Sequence, residues 1–337
     1  MTAPTTFETK ADGARWLSTT ETDLHRGDDL DPAGRSVRFG EFAEAWLAGK
    51  ASLRPRTVEL YSYLLRVHIN PTFESLPLTR VSGAAVRQWN SDLRSGTISE
   101  TTAAKAYRLL RQILETAVDD RLIRQNPCRI KGAATERSKE RQIPSLEEVE
   151  RLADAIEPRY RAMVLIAAFA SLRKGECLGL ARRHVVTDAS PATITVERAR
   201  IETNAHGMMF QEPKTEAGNR TVALPSSLVA AVRDHLEQWV EPGADALLFT
   251  AEHSDDTPTK VVWRRAWGKA RANADVDCTF HDLRHVAGTL NAAAGATIKE
   301  AMARLSHSSP EAALRYQHAL AERDGEVADA VDALLRR

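Results

Sequence analysis

The sequence contains few cysteines and no long apolar segment. Its three cysteines, Cys128, Cys177 and Cys278, lie far apart and are odd in number, which argues against a disulfide framework or a CxxC metal site and suits a reducing compartment. No segment approaches the roughly 18 apolar residues of a membrane-spanning helix, and the start, MTAPTTFETK, lacks the basic-then-apolar pattern of a signal peptide. These absences predict a soluble cytoplasmic protein with no membrane partner.

A net charge is also absent, because 46 lysines and arginines balance 46 aspartates and glutamates. The charge is nevertheless uneven: residues 1–31 carry seven acids and three bases, whereas residues 101–142 carry ten bases and five acids. A local excess of positive charge is typical of a surface that contacts phosphate groups. It is equally typical of a solvated helix face, so composition alone leaves both interpretations open.

The chain of 337 residues is longer than one typical domain. Residues 7–26 have the pattern of an amphipathic helix, and residues 27–36, rich in Gly, Asp and Pro, predict a linker. A helical block begins at Val37 and ends near Pro127, which cannot continue a helix. Residues 131–142 contain six charged side chains and almost no apolar ones, which indicates a boundary between two domains.

The clearest helix of the first block is SETTAAKAYRLLRQILETAVDD. Its apolar side chains recur at the 3.6-residue spacing of a helix, which predicts one core-facing stripe. The stripe consists of Ala103, Tyr107, Leu110, Leu114 and Ala117. Lys105 and Arg108 lie on the opposite face and Arg111 on the flank, so we expect these three cations to face an anionic partner.

The second block predicts a mixed fold. Ser145 begins a new helix as its N-cap and is followed by acids in the first turn. Three short β-rich segments, ATITVERAR, GMMFQEPK and RTVALP, predict a small antiparallel sheet. Helices return after them, and the last segment, residues 325–337, places Val327, Val331 and Leu334 on a stripe that something must cover. The predicted fold class is therefore mainly α with a small antiparallel β-sheet.

Two polar positions early in the second block have both a structural and a functional interpretation. Arg173 in SLRKGECLGL follows an apolar helix, where a guanidinium is costly without a partner. Glu176 is a candidate for that partner, and the pair would then only tie two helices together. Lys214 in EPKTEAGNR lies in the turn between two predicted strands, where most lysines are simply solvated.

The motif HDLRH places three side chains on one helix face at i, i+3 and i+4. These are His281, Arg284 and His285. The two histidines, together with Asp282, also have the spacing of metal ligands. An arginine inside a cationic metal shell is unfavourable, so the face is better suited to an anion.

The stretch LSHSSPEAALRYQH combines a helix start with a histidine and a scarce tyrosine. Ser309 is a candidate N-cap and Pro310 suits the first helical position. His307 lies just before that helix and Tyr316 about two turns into it, and the chain has only five tyrosines. Taken alone, Tyr316 has the ordinary interpretation of a core or boundary residue.

The order of these four motifs resembles that of the tyrosine recombinases, the phage integrase family. The resemblance covers residues 37–320, and all six positions of the family's active-site set are occupied. They are Arg173, Lys214, His281, Arg284, His307 and Tyr316. The resemblance implies a site-specific DNA recombinase, most similar to integrases of actinobacterial phages, in which a helical core-binding domain and a mixed α/β catalytic domain form a C-shaped clamp.

The resemblance also implies a domain organisation. Residues 1–36 would be the remnant of an arm-site-binding domain with its linker, and residues 37–133 a core-site DNA-binding domain with Lys105, Arg108 and Arg111 on its DNA-facing side. Residues 134–142 would be the interdomain linker. Residues 143–337 would form the catalytic domain, with a C-terminal helix that docks on a neighbouring protomer or in cis.

The chemistry implied by the family is strand cleavage by Tyr316 through a covalent 3′-phosphotyrosyl intermediate. Arg173, Arg284 and His307 would bind the phosphate, with Glu176 orienting Arg173. His281 would accept a proton and Lys214 would protonate the leaving 5′ oxygen. Neither ATP nor a metal would be needed, and the sequence contains no GxxxxGK[ST] motif.

The partners implied by the family are double-stranded DNA at core-type attachment sites and three further copies of the chain in a synaptic tetramer. A directionality factor or a host DNA-bending protein would be an accessory partner. Alternatives remain open at this point: a Xer-like resolving recombinase, a type IB topoisomerase, a non-catalytic DNA-binding regulator, or a metal-dependent hydrolase built on His281, Asp282 and His285.

Overall fold

The structure is a computed structural model that describes residues 6–7, 9–25, 36–136, 142–213, 218–306 and 310, with the backbone alone for residues 19–25. It divides into two compact units, Met1–Lys139 and Glu140–Arg337. Helices dominate both units, and all described strands belong to the second, which confirms the predicted mainly α fold with small antiparallel sheets. Within the described residues, no helix combines the length and the apolar character that crossing a bilayer requires.

Helices are the main elements of the first unit over its described residues. Its helices are α1 (Lys10–His25), α2 (Phe39–Ala48), α3 (Pro55–Leu64), α4 (Asn70–Phe73), α5 (Gly83–Ser95) and α6 (Glu100–Asp119). A wider π-helical turn, Leu65–Ile69, joins α3 to α4. Serine side chains cap the two longest helices of residues 36–136, because Ser82 accepts the N–H of Ala85 and Ser99 accepts the N–H of Thr102.

Helix α6 lies at the centre of the first unit. The whole predicted apolar stripe of α6 is buried, so that sequence prediction is confirmed. Two tryptophans are held by their indole N–H groups: Trp46 donates to Thr116 Oγ1 at 2.9 Å, and Trp89 donates to the carbonyl of His68 at 2.7 Å. These bonds satisfy the polar atoms that aromatic burial would otherwise leave without partners.

The second unit contains the remaining helices and all described strands. The helices are α7 (Leu146–Ala155), α8 (Arg161–Phe169), α9 (Lys174–Gly179), α10 (Ser226–Trp239), α11 (Lys260–Ala274), α12 (Asp282–Ala293) and α13 (Ile298–Leu305). The strands are β1 (Val185–Val186), β2 (Thr193–Val196), β3 (Ala199–Thr203), β4 (Gly207–Gln211) and β5 (Arg220–Ala223). Ser145 caps α7 as predicted and forms a capping box with Glu148.

The three β-rich segments form two antiparallel sheets rather than one. The order β1-β2-β5 makes a three-stranded sheet, and β3 pairs only with β4. The segment ATITVERAR is divided at Glu197 and Arg198, so its first half pairs with β5 and its second half with β4. The alternation of apolar and polar side chains, which predicts a strand, does not show where this segment is interrupted.

Helix α8 forms the middle of the second unit's core. Seven consecutive side chains, residues 162–168, are buried, because α7, α10 and α12 all pack around this helix. A helix that is apolar on every side requires such complete coverage. The end of α8 is therefore fixed in position, and the chain that leaves it starts from a rigid support.

We expect the change Tyr107→Phe to destabilise the first unit. Tyr107 is buried, and its hydroxyl oxygen accepts the backbone N–H of Ile130 at 2.8 Å. Removal of the hydroxyl leaves that N–H without its partner, which should lower the free energy of unfolding by about 1–2 kcal/mol in urea denaturation. Tyr61→Phe is the matched control, because its hydroxyl makes no hydrogen bond with a described residue. Equal losses in the two variants would contradict the assignment.

Candidate active site

The turn after α8 is the point around which the candidate site is built. Ser171 is completely buried and has a left-handed backbone conformation, with φ of 64°, which is uncommon for residues other than glycine. Its carbonyl oxygen accepts hydrogen bonds from Arg284 Nη1 and, at 3.4 Å, from Arg220 Nη2. Two arginines that are far apart in the sequence therefore meet at one carbonyl oxygen.

Helix α9 carries Arg173 and Glu176 into the site. The backbone N–H of Arg173 donates to Glu176 Oε2 at 2.9 Å, and Arg173 Nη1 donates to Oε1 at 2.8 Å. The helix lies so close to β3 that a Cβ atom on Gly179 would lie 2.6 Å from the carbonyl oxygen of Arg198. Only glycine permits this approach, so close packing sets the position of both polar side chains.

Glu176 is shared with a second arginine. Arg220, the first residue of β5, donates from Nη2 to Oε2 at 2.9 Å and from Nη1 to Oε1 at 3.3 Å. Burial by itself would raise the pKa of Glu176, but the hydrogen bond and charge of Arg220, followed by those of Arg173, lower the pKa to about 2. The carboxylate is therefore ionised at neutral pH, and the two guanidinium groups and one carboxylate leave a net positive charge.

Helix α12 supplies a second motif of the site, HDLRH. His281 is the N-cap residue, Arg284 is buried, and the rings of His281 and His285 lie 5.4 Å apart, nearly perpendicular. The pKa of His281 is lowered by desolvation and further by the positive groups of His285, Arg284 and Arg173. His281 is therefore neutral at pH 7 and able to accept a proton.

Asp282 has a local structural role. Its carboxylate is buried, and Oδ2 accepts the backbone N–H of Thr279 at 2.7 Å. Over the described part of the chain, no group of three or more His, Cys, Asp and Glu side chains is arranged to hold a metal ion. Asp282 therefore stabilises the turn that leads into α12.

The end of α13 is held against the same cluster. Ser306, the C-cap residue, has φ of 48°, and its carbonyl oxygen accepts Arg173 Nη2 at 3.0 Å. The carbonyl of Arg304 accepts Arg220 Nε at 3.1 Å, and Arg304 Nη2 donates to the carbonyl of Ala223 at 3.0 Å. The chain that continues to residue 307 therefore starts beside Arg173.

The structure brings together four of the residues that the sequence motifs single out. They are Arg173, Glu176, His281 and Arg284. The other three, Lys214, His307 and Tyr316, lie outside the described residues, as does the C-terminal stripe of Val327, Val331 and Leu334. Two described neighbours of these positions touch the cluster: Ser306 contacts Arg173, and the carbonyl of Gly218 accepts Arg220 Nη1 at 3.4 Å.

Arg220 also belongs to the cluster, although no sequence motif singled it out. A signal for it exists, because Arg220 and Val222 are two residues apart on β5, and side chains at that spacing share one face of a strand. Val222 is a core residue, so an arginine on the same face requires a buried acceptor. Glu176, on α9, supplies that acceptor, and local sequence does not reveal that α9 lies next to β5.

Two of the three cations predicted on α6 form ion pairs within the first unit. Glu136 forms ion pairs with Lys105, at 4.0 Å, and with Arg108. Arg108 Nη1 also donates to the carbonyl of Ala134 at 3.4 Å. Arg111 is exposed and makes no ion pair with a described residue. In this structure the start of the predicted linker therefore covers part of the basic face of α6.

A second basic surface lies on α11 and was not predicted. The helix contains no acid, and Trp263, Ala266, Trp267, Ala270 and Ala274 form its buried face. Arg264, Arg265 and Lys269 lie on the opposite, exposed face, where they make no ion pair or hydrogen bond with described residues. The signal in the sequence is the combination of several bases with no acid in KVVWRRAWGKARANA.

We expect Glu176→Gln to destabilise the second unit at neutral pH. A pKa lowered from 4.5 to about 2 corresponds to about 3 kcal/mol of stabilisation. A depressed carboxyl pKa contributes stability that is complete above pH 4.5 and is lost as the pH falls towards 2. The difference in unfolding free energy between wild type and variant, measured in urea from pH 7 to 3, should therefore shrink below pH 4.5.

The control for this prediction is Asp256→Asn. Asp256 also pairs with an arginine, Arg200, but its side chain is half exposed, so the loss should stay below about 1 kcal/mol. A loss for Glu176→Gln no larger than that for Asp256→Asn would show that the buried carboxylate does not stabilise the cluster.

Comparison with known proteins supports one family along the whole chain. The phage integrase family model matches residues 145–323, and a model of the phage integrase N-terminal SAM-like domain matches residues 38–94. The putative prophage phiRv2 integrase of Mycobacterium tuberculosis is 38% identical over 97% of this chain and 87% of its own length. The integrase of Mycobacterium phage D29 is 32% identical over 96% of this chain and 88% of its own length.

Solved structures show the same fold. The Tn1549 transposon integrase in complex with transposon right end DNA superposes with a TM-score of 0.73 at 19% identity, over 89% of this chain and 100% of that one. A lambda integrase dimer bound to a COC′ core site gives a TM-score of 0.62 at 16% identity, over 83% of this chain and 95% of that one. Because the family model covers more than half of the chain and a relative with 38% identity matches along 97% of it, the chain belongs to the phage integrase family, the site-specific integrases of the tyrosine recombinase class.

Proposed function

We propose that this integrase binds double-stranded DNA at core-type attachment sites and recombines it through a covalent 3′-phosphotyrosyl intermediate at Tyr316. The observation that carries the proposal is the meeting of Arg173, Arg284 and His281 around the turn at Ser171. DNA as the partner is supported by the relatives of the same fold that were solved in complex with DNA.

The cluster suits the binding of a DNA phosphate. Arg173 is partly exposed and is oriented by Glu176 without being neutralised, because the carboxylate is shared with Arg220. Arg284 Nη1 donates to the buried carbonyl oxygen of Ser171. Guanidinium groups are planar, permanently charged donors that match two oxygens of one phosphate. Together they would stabilise the charge that develops on the phosphate during transfer.

The nucleophile must lose its proton. Holding a phenol with a pKa near 10 as phenolate at pH 7 costs about 4 kcal/mol, and the nearby positive charge reduces that cost. In the proposed step the phenolic oxygen of Tyr316 attacks phosphorus while His281 accepts its proton. His281 suits this role because its lowered pKa keeps the ring neutral above pH 6.5, and it becomes protonated only as the pH falls below that value.

The leaving group must gain a proton. The bond between phosphorus and the 5′ oxygen breaks as the phosphotyrosyl bond forms, and Lys214 would deliver a proton to that oxygen. His307 would donate a hydrogen bond to the same phosphate. Since one phosphate ester replaces another, the bond energy is retained, and a 5′-hydroxyl from another strand can reverse the attack. Lys214, His307 and Tyr316 take these roles from the family pattern of the sequence.

The proposed DNA surfaces lie in both units. Residues 37–133 would bind the core site and residues 143–337 would carry the catalytic residues. The exposed face of α11 suits close contact with DNA, because Gly268 is surrounded by three cations that have no ion-pair partner among the described residues. A Cβ atom at Gly268 would meet nothing within 4 Å, so packing does not require glycine there. Glycine within a helix nevertheless lowers helix stability by about 1 kcal/mol relative to alanine. Close approach of a ligand to the helix backbone would account for a glycine at this position.

Assembly on DNA completes the proposal. Recombination joins two DNA duplexes, each cleaved in both strands, which requires four nucleophiles and therefore a tetramer of this chain. Val327, Val331 and Leu334 would dock on a neighbouring protomer. A directionality factor or a host DNA-bending protein would set the direction of the reaction.

We expect Tyr316→Phe to abolish covalent complex formation without weakening DNA binding. A nicked suicide substrate carrying the attachment site loses its 5′-hydroxyl strand after cleavage, so the wild-type chain should accumulate on the DNA 3′ end and resist denaturation by SDS. Tyr63→Phe, which alters an exposed tyrosine of the first unit, is the matched control and should behave as wild type.

Two outcomes of that assay, and one of a plasmid assay, would contradict the proposal. A covalent complex that persists in Tyr316→Phe would move the nucleophile elsewhere. Cleavage that needs a divalent cation and leaves free 3′ ends would favour a hydrolase built on His281, Asp282 and His285. Relaxation of supercoils without joining of two sites on one plasmid would favour a topoisomerase.

We expect the simultaneous changes Arg264→Ala, Arg265→Ala and Lys269→Ala to flatten the salt dependence of DNA binding. Each lost phosphate contact reduces the slope of log affinity against log salt by about 0.9, so three contacts predict a change of about 2.7. Lys105→Ala with Arg108→Ala should change it by about 1.8 only if DNA displaces Glu136.

The matched control for the α11 variant is Arg233→Ala, which removes an exposed arginine already paired with Asp188. Its slope should equal that of wild type in a fluorescence anisotropy titration. An unchanged slope for the α11 variant would exclude this helix from the DNA interface.

A further inference from the structure

Arg220 makes more contacts in the candidate site than any role in strand pairing requires. Its side chain is 7% exposed. Besides the two hydrogen bonds to Glu176, Nε donates to the carbonyl of Arg304 at 3.1 Å, and Nη2 and Nη1 reach the carbonyls of Ser171 and Gly218 at 3.4 Å. One guanidinium group therefore contacts α9, the end of α13, the turn after α8 and the start of β5.

These contacts depend on the shape of the guanidinium group. Its planar fork directs two N–H groups at the carboxylate of Glu176 while Nε points in another direction, at the carbonyl of Arg304. A lysine has three donors on a single nitrogen atom and cannot span both partners. The position therefore requires arginine for its geometry as well as for its charge.

The two strongest groups of contacts both lead to the reacting centre. Through Glu176, Arg220 is connected to Arg173, which donates to the carbonyl of Ser306. Through the carbonyl of Arg304, it holds the last turn of α13, two residues before Ser306. Gly218, which lies on the Lys214 side of β5 in the sequence, makes a longer contact. Arg220 thus acts mainly on the phosphate-binding arginine and on the helix end that leads to Tyr316.

We propose that Arg220 is a positioning residue of the recombination reaction, which fixes the end of α13 relative to Arg173 so that the chain beyond Ser306 enters the site in a defined direction. Arg220 contacts neither DNA nor the reacting atoms in this scheme. The inference rests on the proposed function, because it assigns Arg220 to the cleavage step that Tyr316 performs.

The test compares Arg220→Lys with Arg182→Lys on the nicked suicide substrate. Arg182 also uses its fork to bind carbonyls, those of Leu236, Val240 and Glu241, at the end of α10 and outside the site. We expect Arg220→Lys to reduce the single-turnover rate of covalent complex formation by about 10- to 100-fold with unchanged DNA affinity. Arg182→Lys should lower the melting temperature without changing that rate.

A second substrate separates positioning of the nucleophile from proton delivery by Lys214. A 5′-phosphorothiolate at the cleaved bond provides a sulfur leaving group that needs no protonation. The defect of Arg220→Lys should persist on this substrate, because the attack itself is misaligned. Restoration of the wild-type rate would overturn the inference, since the defect would then lie in proton delivery by Lys214.

Other outcomes are equally decisive. A rate equal to that of wild type, or a loss matched by Arg182→Lys at equal melting temperature, would show that Arg220 only stabilises the fold. If Arg220→Lys is unfolded at the assay temperature, Arg220→Gln, which keeps an amide donor without the charge, is tested in the same way. Failure of the wild-type chain itself to form a covalent complex would contradict the proposed function and, with it, this inference.

Discussion

The charge of one buried carboxylate, that of Glu176, determines how the rest of the candidate site is arranged. Two guanidinium groups, of Arg173 and Arg220, share it, and attraction between opposite charges is strong where protein excludes water. Without this carboxylate, Arg220 would be a buried cation with carbonyl partners alone, which is strongly unfavourable. With it, the group of three retains one positive charge. The carboxylate therefore lowers the cost of burying Arg220 without removing the positive charge of the group.

The arginines of the candidate site also donate hydrogen bonds to backbone carbonyl oxygens. Arg284 binds the carbonyl of Ser171, and Arg173 and Arg220 bind carbonyls at the end of α13. A carbonyl orients a guanidinium group without cancelling its charge. Arg182, at the end of α10, binds carbonyl oxygens in the same way, whereas Arg200 and Arg271 each have their own aspartate. The candidate site differs from all three in that two arginines, Arg173 and Arg220, share one buried carboxylate.

Local patterns accounted for most elements of the fold and for part of the site. The stripe on α6 and the cap at Ser145 were predictable, because helix periodicity and capping depend on neighbours within one turn. The order of Arg173, Lys214, HDLRH, His307 and Tyr316 was sufficient to recognise the family. The division of the strands into two sheets was not predictable, since it depends on which segment pairs with β5. Nor was the contact of Glu136 with Lys105 and Arg108, because the path of the chain after α6 brings them together.

The sequence alone determined the helical class, the family and the identity of the chemical groups, because each is encoded in residue types and their spacing. Only the tertiary structure decided that Arg220 joins Glu176, that Ser171 turns its carbonyl towards Arg284, and that the end of α13 lies beside Arg173. Each of these contacts joins segments that are 44 to 133 residues apart. Their meeting is the result of how α8, α9, β5 and α13 pack, and packing is a property of the whole unit.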